Sequence, residues 1–316
     1  GGFGGSAVDL VVMMEEFGKA MLVEPFVATT VLAGGLISEQ GSAQQKAELL
    51  PKIMEGKLQL ACAYAEPGSR FNLANIKTSA VADGDNIVLN GSKTAVLNGS
   101  NAEVLLVVAR ESGAATDTTG VSVFMVDATS AGVSIQAFAN VDGKKSAEIT
   151  LKDVSVSATA RLGDAGSALP ALTAVVDRAT LAVSAEAVGA MEAMLHKTVE
   201  YSKTRKQFGT AIGTFQALQH RMADMFIECQ LARSIVIMAA MKLDGGEDAT
   251  EKSKSVSAAK SRIGKAINKV GQEAIQIHGG IAMTEELDVG HLFKLVTAAE
   301  IMFGNTDYHT ERFASL

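Results

Sequence analysis

The sequence predicts an α+β multidomain protein with N-terminal helices, a middle antiparallel β-domain and a C-terminal four-helix bundle. All 4 prolines of the 316-residue chain lie at or before position 170, and proline is disfavoured inside helices. The proline-free remainder is rich in Ala, Met, Leu, Glu and Lys, which are good helix formers. Between about residues 60 and 162, alternating Val, Ile, Thr and Ser predict strands. We therefore place the domains at residues 1–59, 60–165 and 166–316.

The first two segments differ in the period of their apolar residues. Residues 1–59 contain the runs VVMMEEFGKAM and AQQKAELLPKIMEG, which predict helices joined by glycine-rich turns. Residues 60–165 contain NIVLNG, EVLLVVAR, VSVFMVD and AEITLKDVSVS, separated by turn signals at residues 83–86 and 98–99. These patterns predict short antiparallel strands in a sandwich or barrel.

The third segment, residues 166–316, predicts a helical bundle. Its apolar periodicity places helices near residues 171–203, 214–243, 251–278 and 284–303. The pair Gly245 and Gly246 marks one loop between helices.

Composition excludes several classes of protein. The chain has 28 basic and 35 acidic residues, and a net charge of −7 argues against a nucleic-acid surface. Cys62 and Cys229 lack CxxC spacing, so neither a disulfide framework nor a thiolate zinc site is expected. The longest apolar run, residues 235–241, is too short to span a bilayer. We expect a cytoplasmic protein with no metal site, no nucleic-acid partner and no membrane span.

The first candidate binding motif is TRKQFG at residues 204–209, followed by IG and FQ within residues 212–216. Arg205 offers a planar guanidinium suited to phosphate, and Phe208 can stack on a heterocycle. The same string also fits an ordinary basic loop that caps a helix.

The second candidate is QIHGG at residues 276–280. Two glycines after a helix can end it at positive φ, and their missing side chains let a pyrophosphate approach the backbone. The alternative is a plain glycine cap with His278 as a packing residue. A third motif, AYAEPGS at residues 63–69, also fits a Pro-Gly turn.

In this order and spacing, the three motifs resemble the acyl-CoA dehydrogenase flavoprotein family. The opening GGFG with EEFG at residues 15–18 is similar to that family's GGxG…EExG stretch. The resemblance implies FAD as cofactor, an acyl-CoA substrate, an electron-transfer acceptor and a dimer or dimer of dimers. It also implies that most of the N-terminal helical region of the family is missing from this chain.

The family's reaction, as the resemblance implies it, removes an α-proton from an acyl-CoA thioester and passes hydride from the β-carbon to the flavin. The flavin lies across a dimer interface, so that the β-domain holds its ring and the partner's bundle holds its adenosine and pyrophosphate. This chain matches the bundle half at the RxxFG and QxxGG positions. The residues that the resemblance assigns to FAD are Arg205, Gln207, Phe208, Gln276, Gly279 and Gly280.

The β-domain half departs from the family pattern. Ala65 stands where the family commonly has Thr before Glu-Pro, and residues 70–72 read RFN in place of Gly-Ser-Asp. Ala95 and Leu97 stand where the family has the Trp and Thr of Trp-Ile-Thr. Several polar and aromatic flavin contacts are thus replaced by apolar side chains.

The catalytic base also departs from the pattern. Phe303 occupies the position of the usual Glu, and Ala179 the alternative position on the first bundle helix. Asp177, beside Arg178, is the carboxylate that we single out as a candidate base. It equally fits a carboxylate in the first turns of a helix or a salt-bridge partner. Glu186, two turns further along, is interpreted as structural.

Three explanations remain open for a half-retained site. In one, the chain is a subunit of an α2β2 assembly, resembling bacterial enzymes for sterol side chains and other bulky acyl-CoAs, and a paralogous partner supplies the base. In another, it is a self-sufficient homo-oligomer that uses Asp177. In the third, it is a flavin-free structural homologue. The first explanation is favoured because the bundle half of the flavin site keeps the family pattern, whereas the β-domain half has lost the polar groups that the chemistry requires.

Overall fold

The computed structural model of the protein describes residues 4–316, which form two compact units. The first contains Gly4 and residues 24–179, and the second contains residues 5–23 and 180–316. The second unit is therefore built from two stretches that are far apart in sequence. Residues 1–3, which carry most of the GGFG resemblance, lie outside the described residues.

The helices before the first strand begin at side-chain caps in two cases. They are α1 (Ala7–Ala20), a π-helical run (Val27–Gly34), α2 (Gly35–Gln40) and α3 (Ala43–Met54). Ser6 and Asp9 form a capping box at the start of α1, and Ser42 with Gln45 does the same for α3. These reciprocal bonds satisfy backbone N–H groups that the first turn leaves unpaired.

An eight-stranded sheet forms the body of the first unit. Its strands are β1 (Leu60–Ala63), β2 (Ser79–Asp83), β3 (Asn86–Leu97), β4 (Val104–Arg110), β5 (Val121–Asp127), β6 (Val133–Ala139), β7 (Lys145–Ser157) and β8 (Arg161–Leu162). They follow the order β6-β7-β3-β2-β4-β5-β8, and β1 pairs with β4. Inward-facing side chains such as Leu89, Leu105, Phe124 and Ile149 are fully buried in one core.

The β-domain was expected to be antiparallel, and the observed sheet is mixed. β1 runs parallel to β4, with Leu60 opposite Val104, and β2 meets β4 in parallel at Ser79 and Arg110. The remaining pairs of the large sheet's named strands are antiparallel. Parallel neighbours need a long crossover, and the chain between β1 and β4 supplies one. Alternation of side chains gives no information on strand direction, so the sequence could not predict this.

The helices of the third segment confirm the expected helical architecture, with different bounds and additional elements. They are α4 (Leu169–Thr204), α5 (Gln216–Asp244), α6 (Ala249–His278), α7 (Val289–Ile301) and α8 (Thr306–Ser315). A 3-10 turn (Gly279–Met283) follows α6, and α7 begins at Val289, five residues later than the helix predicted at 284–303. α8 begins at the side-chain cap of Asn305. The second unit thus adds α1 and α8 to the four predicted helices.

Two glycines let α1 and α4 cross with their backbones in contact. A Cβ on Gly18 would lie 1.9 Å from the carbonyl oxygen of Glu186, and one on Gly189 would lie 1.8 Å from that of Glu15. At this crossing, Arg233 of α5 pairs with Glu15 and, at 2.9 Å, with Glu192. The glycines therefore set how closely the N-terminal helix packs on the bundle.

None of the helices described between residues 4 and 316 combines the length and apolar character needed to cross a bilayer.

Candidate functional site

A short hairpin after α4 carries the first motif. Its strands are β9 (Lys206–Gln207) and β10 (Thr210–Ala211), joined by a two-residue loop. Phe208 and Gly209, which form that loop, both have positive φ, 53° and 81°. This is the backbone signature of a tight hairpin turn that follows the twist of its strands.

The side chains of this hairpin face solvent. Phe208 is 94% exposed and makes an edge contact with Phe215, their ring centroids 6.2 Å apart. Arg205 and Gln207 are also exposed. The backbone of Arg205 is nevertheless fixed, since its N–H donates to the carbonyl of Tyr201 at 2.8 Å and its carbonyl accepts from Ile212 at 2.8 Å. A guanidinium and an aromatic ring are thus held outward on an ordered turn.

The end of α6 carries the second motif. Gln276 is exposed in the last turn, and Gly279 ends the helix with φ of 68°. A Cβ built on Gly279 or Gly280 would meet nothing within 4 Å. Both glycines therefore leave their backbone open to a neighbouring group, as a phosphate-binding turn requires.

Tyr201 and His278 join these two segments. Their rings stack with centroids 4.5 Å apart, and the Tyr201 hydroxyl donates to the His278 carbonyl at 3.3 Å. His278 is buried and its Nδ1 lies 2.8 Å from the Ala274 carbonyl. Burial lowers the pKa of His278, which keeps the imidazole neutral near pH 7. Tyr201 and His278 thus join the two segments that carry the six residues assigned to FAD by the resemblance.

The ring half of the predicted site lies on the β-domain and offers small side chains. β3 bulges between Lys93 and Val96, and within this bulge Ala95 has φ of 49° and is exposed. Thr94 is engaged internally, since its hydroxyl donates to Glu148 at 2.7 Å and its N–H to the Ala65 carbonyl at 2.9 Å. The bulge presents the methyl group of Ala95, which the resemblance aligns with a Trp of the family.

A buried ion pair, not anticipated from the sequence, fixes this part of the β-domain. Lys93 Nζ lies 2.6 Å from Glu66 Oε1, with side-chain exposures of 0% and 5%. Glu66 also accepts the backbone N–H groups of Lys77 and Thr78 at 2.7 and 3.0 Å. Burial lowers the pKa of Lys93 to about 8, although the charge of Glu66 opposes that shift. The pair ties the Glu-Pro-Gly turn to β3.

The turn between α7 and α8 carries Phe303, the residue that the resemblance aligns with the family's usual base. Phe303 has φ of 59°, and its carbonyl lies 3.1 Å from Nε2 of His309. Lys260, 1% exposed, donates to the carbonyls of Glu300 and Gly304 at 2.7 and 2.8 Å. Burial lowers the pKa of Lys260 to about 7, and burial with the charge of Lys260 lowers that of His309 to about 3. The turn that carries the Phe303 ring is therefore fixed by contacts of Lys260 and His309 with its backbone carbonyls.

Two carboxylates of α4, Asp177 and Glu186, are buried. Asp177 is 4% exposed and lies in the third turn of the helix, whereas Arg178 beside it is exposed. Glu186 and Ala179 are likewise buried. Asp177 therefore lies deeper along the helix than a carboxylate of the first turn.

Within the described part of the chain, no group of three or more His, Cys, Asp or Glu side chains is arranged to hold a metal ion.

Comparisons with known proteins cover almost the whole chain. Residues 1–57, 61–154 and 169–315 match the N-terminal, middle and C-terminal domain models of acyl-CoA dehydrogenase. The chain is 31% identical to the caffeyl-CoA reductase-Etf complex subunit CarC of Acetobacterium woodii, over 93% of this chain and 78% of that protein. It is similar to butyryl-CoA dehydrogenase from Megasphaera elsdenii, with a TM-score of 0.92 and 27% identity over 99% of this chain and 82% of that one.

A further solved relative is the FAD complex of PigA, with a TM-score of 0.92 and 27% identity over 99% of this chain and 83% of that one. The expected cofactor is therefore confirmed at the level of the family, and so is the expected order of helices, β-domain and helices. From the matched domains and these relatives, the chain belongs to the acyl-CoA dehydrogenase family of oxidoreductases.

Proposed function

We propose that this chain is a subunit of an acyl-CoA dehydrogenase that binds the adenosine and pyrophosphate end of FAD for a paralogous partner. The observation that carries the proposal is the arrangement at the ends of α4 and α6. Arg205, Phe208 and Gln276 are exposed there, and Gly279 and Gly280 leave their backbone uncovered. These are groups suited to phosphates and a heterocycle.

The bundle half fits this end of FAD by its chemistry. The C-terminal end of α6 carries partial negative charge, which disfavours a phosphate unless a cation compensates. Arg205 supplies that cation and a planar set of donors. Phe208, on the hairpin tip, supplies an aromatic face, and Gln207 and Gln276 supply amide donors and acceptors.

The ring half of this chain fits a flavin less well. Ala65, Ala95 and Leu97 carry no polar side-chain atom, and Phe303 can neither accept nor donate a proton. FAD, when bound, supplies a two-electron acceptor that takes hydride from the β-carbon of the acyl group. On the proposal, the partner provides the ring contacts and the carboxylate that removes the α-proton.

The flavin content of the purified protein tests this division. We would prepare the chain alone and co-expressed with the paralogous partner that the proposal requires, and measure flavin absorbance per chain and dye-coupled oxidation of acyl-CoA. We expect one FAD for every two chains in the complex and neither full flavin nor turnover in the chain alone. Full flavin and turnover in the chain alone would contradict the proposal.

A self-sufficient homo-oligomer is the second candidate, and the buried carboxylate of Asp177 favours it. In that case Asp177→Asn abolishes turnover while flavin stays bound, and Glu186→Gln, a matched buried carboxylate on the same helix, retains it. Absence of flavin bands in both preparations would instead identify a flavin-free homologue.

The acyl group that we propose is a bulky one, such as a sterol side chain, because α4 carries the small residues Ala179 and Ala182. Assays with acyl-CoAs of increasing bulk test this. Since CarC is named as a reductase in an Etf complex, both reaction directions belong in the assay, with an electron-transferring flavoprotein as partner. Both cysteines are free and buried, which suits the cytoplasmic location that we propose.

A further inference from the structure

Tyr201 and His278 are separated by 77 positions and belong to the last turns of two different helices. Their contact has two parts, the stacked rings at 4.5 Å and the hydroxyl-to-carbonyl bond at 3.3 Å. Because each residue lies in the last turn of the helix that leads into one of the two binding segments, this contact joins the segments through side chains. The segments are the hairpin at residues 205–212 and the turn at residues 279–283.

Each member of the pair is also tied to its own segment. The carbonyl of Tyr201 accepts a hydrogen bond from the backbone N–H of Arg205 at 2.8 Å. This bond fixes the start of the hairpin relative to the last turn of α4. His278 leads directly into Gly279, which has φ of 68° and no neighbouring atom within 4 Å of a Cβ position. Glycine has wide conformational freedom, so this turn needs an anchor at its start.

The protonation state of His278 suits a permanent anchor. Nδ1 faces the Ala274 carbonyl at 2.8 Å, and since a carbonyl only accepts, Nδ1 carries the hydrogen. His278 is 5% exposed, and burial disfavours the charged form of its ring. A neutral ring can stack on Tyr201 without placing a buried charge beside the phosphate-binding turn.

We propose that Tyr201 and His278 are positioning residues that hold the 205–212 hairpin and the 279–283 turn in one arrangement before FAD binds. This inference rests on the proposed function for its ligand. A ligand that bridges two flexible segments must order both when it binds, and a prior link between them removes part of that entropic cost. Affinity for FAD, rather than stability of the fold, is then the property that the pair sets.

The test uses the full chain, co-expressed with its paralogue, and three variants. Tyr201→Leu removes the stack and the hydroxyl, and Tyr201→Phe removes the hydroxyl alone. Tyr308→Leu is the matched control, because Tyr308 also contacts a histidine, His309, edge-on at 5.0 Å in the same unit. Hydrogen–deuterium exchange reports on the two segments, flavin fluorescence gives the FAD dissociation constant of the deflavinated protein, and thermal unfolding reports on the fold.

We expect Tyr201→Leu to raise exchange in both segments and to weaken FAD binding about tenfold. The melting temperature of Tyr201→Leu should fall no further than that of Tyr308→Leu. Tyr308→Leu should keep wild-type hydrogen–deuterium exchange at both segments. Tyr201→Phe retains the ring, so its exchange and its FAD affinity should lie between those of the wild type and those of Tyr201→Leu. This variant keeps the test valid if Tyr201→Leu misfolds.

Two results would overturn this inference while leaving the proposed function intact. One is faster exchange in the hairpin with unchanged exchange at residues 279–283, since the proposal links Tyr201 to that turn through His278. The other is unchanged FAD affinity in Tyr201→Leu while the wild type binds FAD. A wild type that binds no FAD, alone or with its paralogue, overturns the proposed function and with it the role of the pair in cofactor affinity.

Discussion

Replacing Gly189 by alanine tests the close crossing of α1 and α4. The added Cβ would lie 1.8 Å from the Glu15 carbonyl oxygen and 2.9 Å from its Cα. Both are backbone atoms of a helix, so no side-chain rotation relieves the overlap. Reaching the 3.4 Å of ordinary contact requires α1 to move by about 1.6 Å relative to α4.

That displacement outweighs the usual benefit of alanine in a helix. Gly→Ala alone contributes about 0.5–1 kcal/mol of stabilisation. Overpacking of a close-packed contact costs about 1–3 kcal/mol, and moving Glu15 also disturbs its ion pair with Arg233. We expect a net loss of about 1–2 kcal/mol in the free energy of unfolding, with a melting temperature lowered by roughly 3 °C.

Thermal unfolding of the purified chain measures this, with Gly246→Ala as the matched control. A Cβ on Gly246 would meet nothing within 4 Å, so its melting temperature should stay within the range of a neutral surface change. An unchanged or raised melting temperature in Gly189→Ala would refute the reasoning, because helix propensity alone would then describe the site.

Three further outcomes are expected. Arg205→Gln should weaken FAD binding about tenfold, whereas Lys206→Gln, the adjacent exposed cation, should change it little; fluorescence titration distinguishes them. The pKa of His309 is lowered to about 3, so between that value and its ordinary 6.5 the unfolded chain binds the proton and the folded chain does not. Stability should therefore fall on acidification by up to about 1 kcal/mol per pH unit in that range, and urea unfolding of His309→Gln should show a shallower slope. Lys93→Met leaves the Glu66 carboxylate buried and unpaired, with an expected loss of about 3–5 kcal/mol in thermal unfolding, and adding Glu66→Gln should restore most of it.

The sequence predicts the fold well where local rules decide the structure. The capping box of Ser42 and Gln45 begins α3, and the glycine pair at 245–246 falls between α5 and α6. The parallel pairing of β1 with β4 was missed because strand direction depends on distant segments. The assignment of α1 to the unit of the bundle depends in the same way on contacts that no local pattern reports.

In the candidate site, too, the residues of a contiguous motif could be predicted from the sequence, whereas contacts between distant residues could not. Arg205 and Phe208 belong to one contiguous motif, so the string of letters is enough to single them out. The stack of Tyr201 on His278 joins residues 77 positions apart, and no periodicity announces it. A usable signal did exist for Lys260, which stands four residues after Val256 and three before Ile263, on the buried stripe of α6. A lysine at such a position indicates a buried amine with fixed acceptors.

The crossing of α1 on the bundle also has a consequence for synthesis of the chain. Glu15 and its partner Arg233 lie 218 positions apart, and residues 24–179, which lie between them in sequence, build the other unit. At about 5–20 residues per second, roughly 10–40 s pass between the emergence of the two. During that interval Leu10, Val11 and Met14, which end up buried, have yet to meet the α5 side of their core. Helix α1 is thus made well before α5 and docks on it late, so that its apolar face stays uncovered by α5 while the residues between them are synthesised.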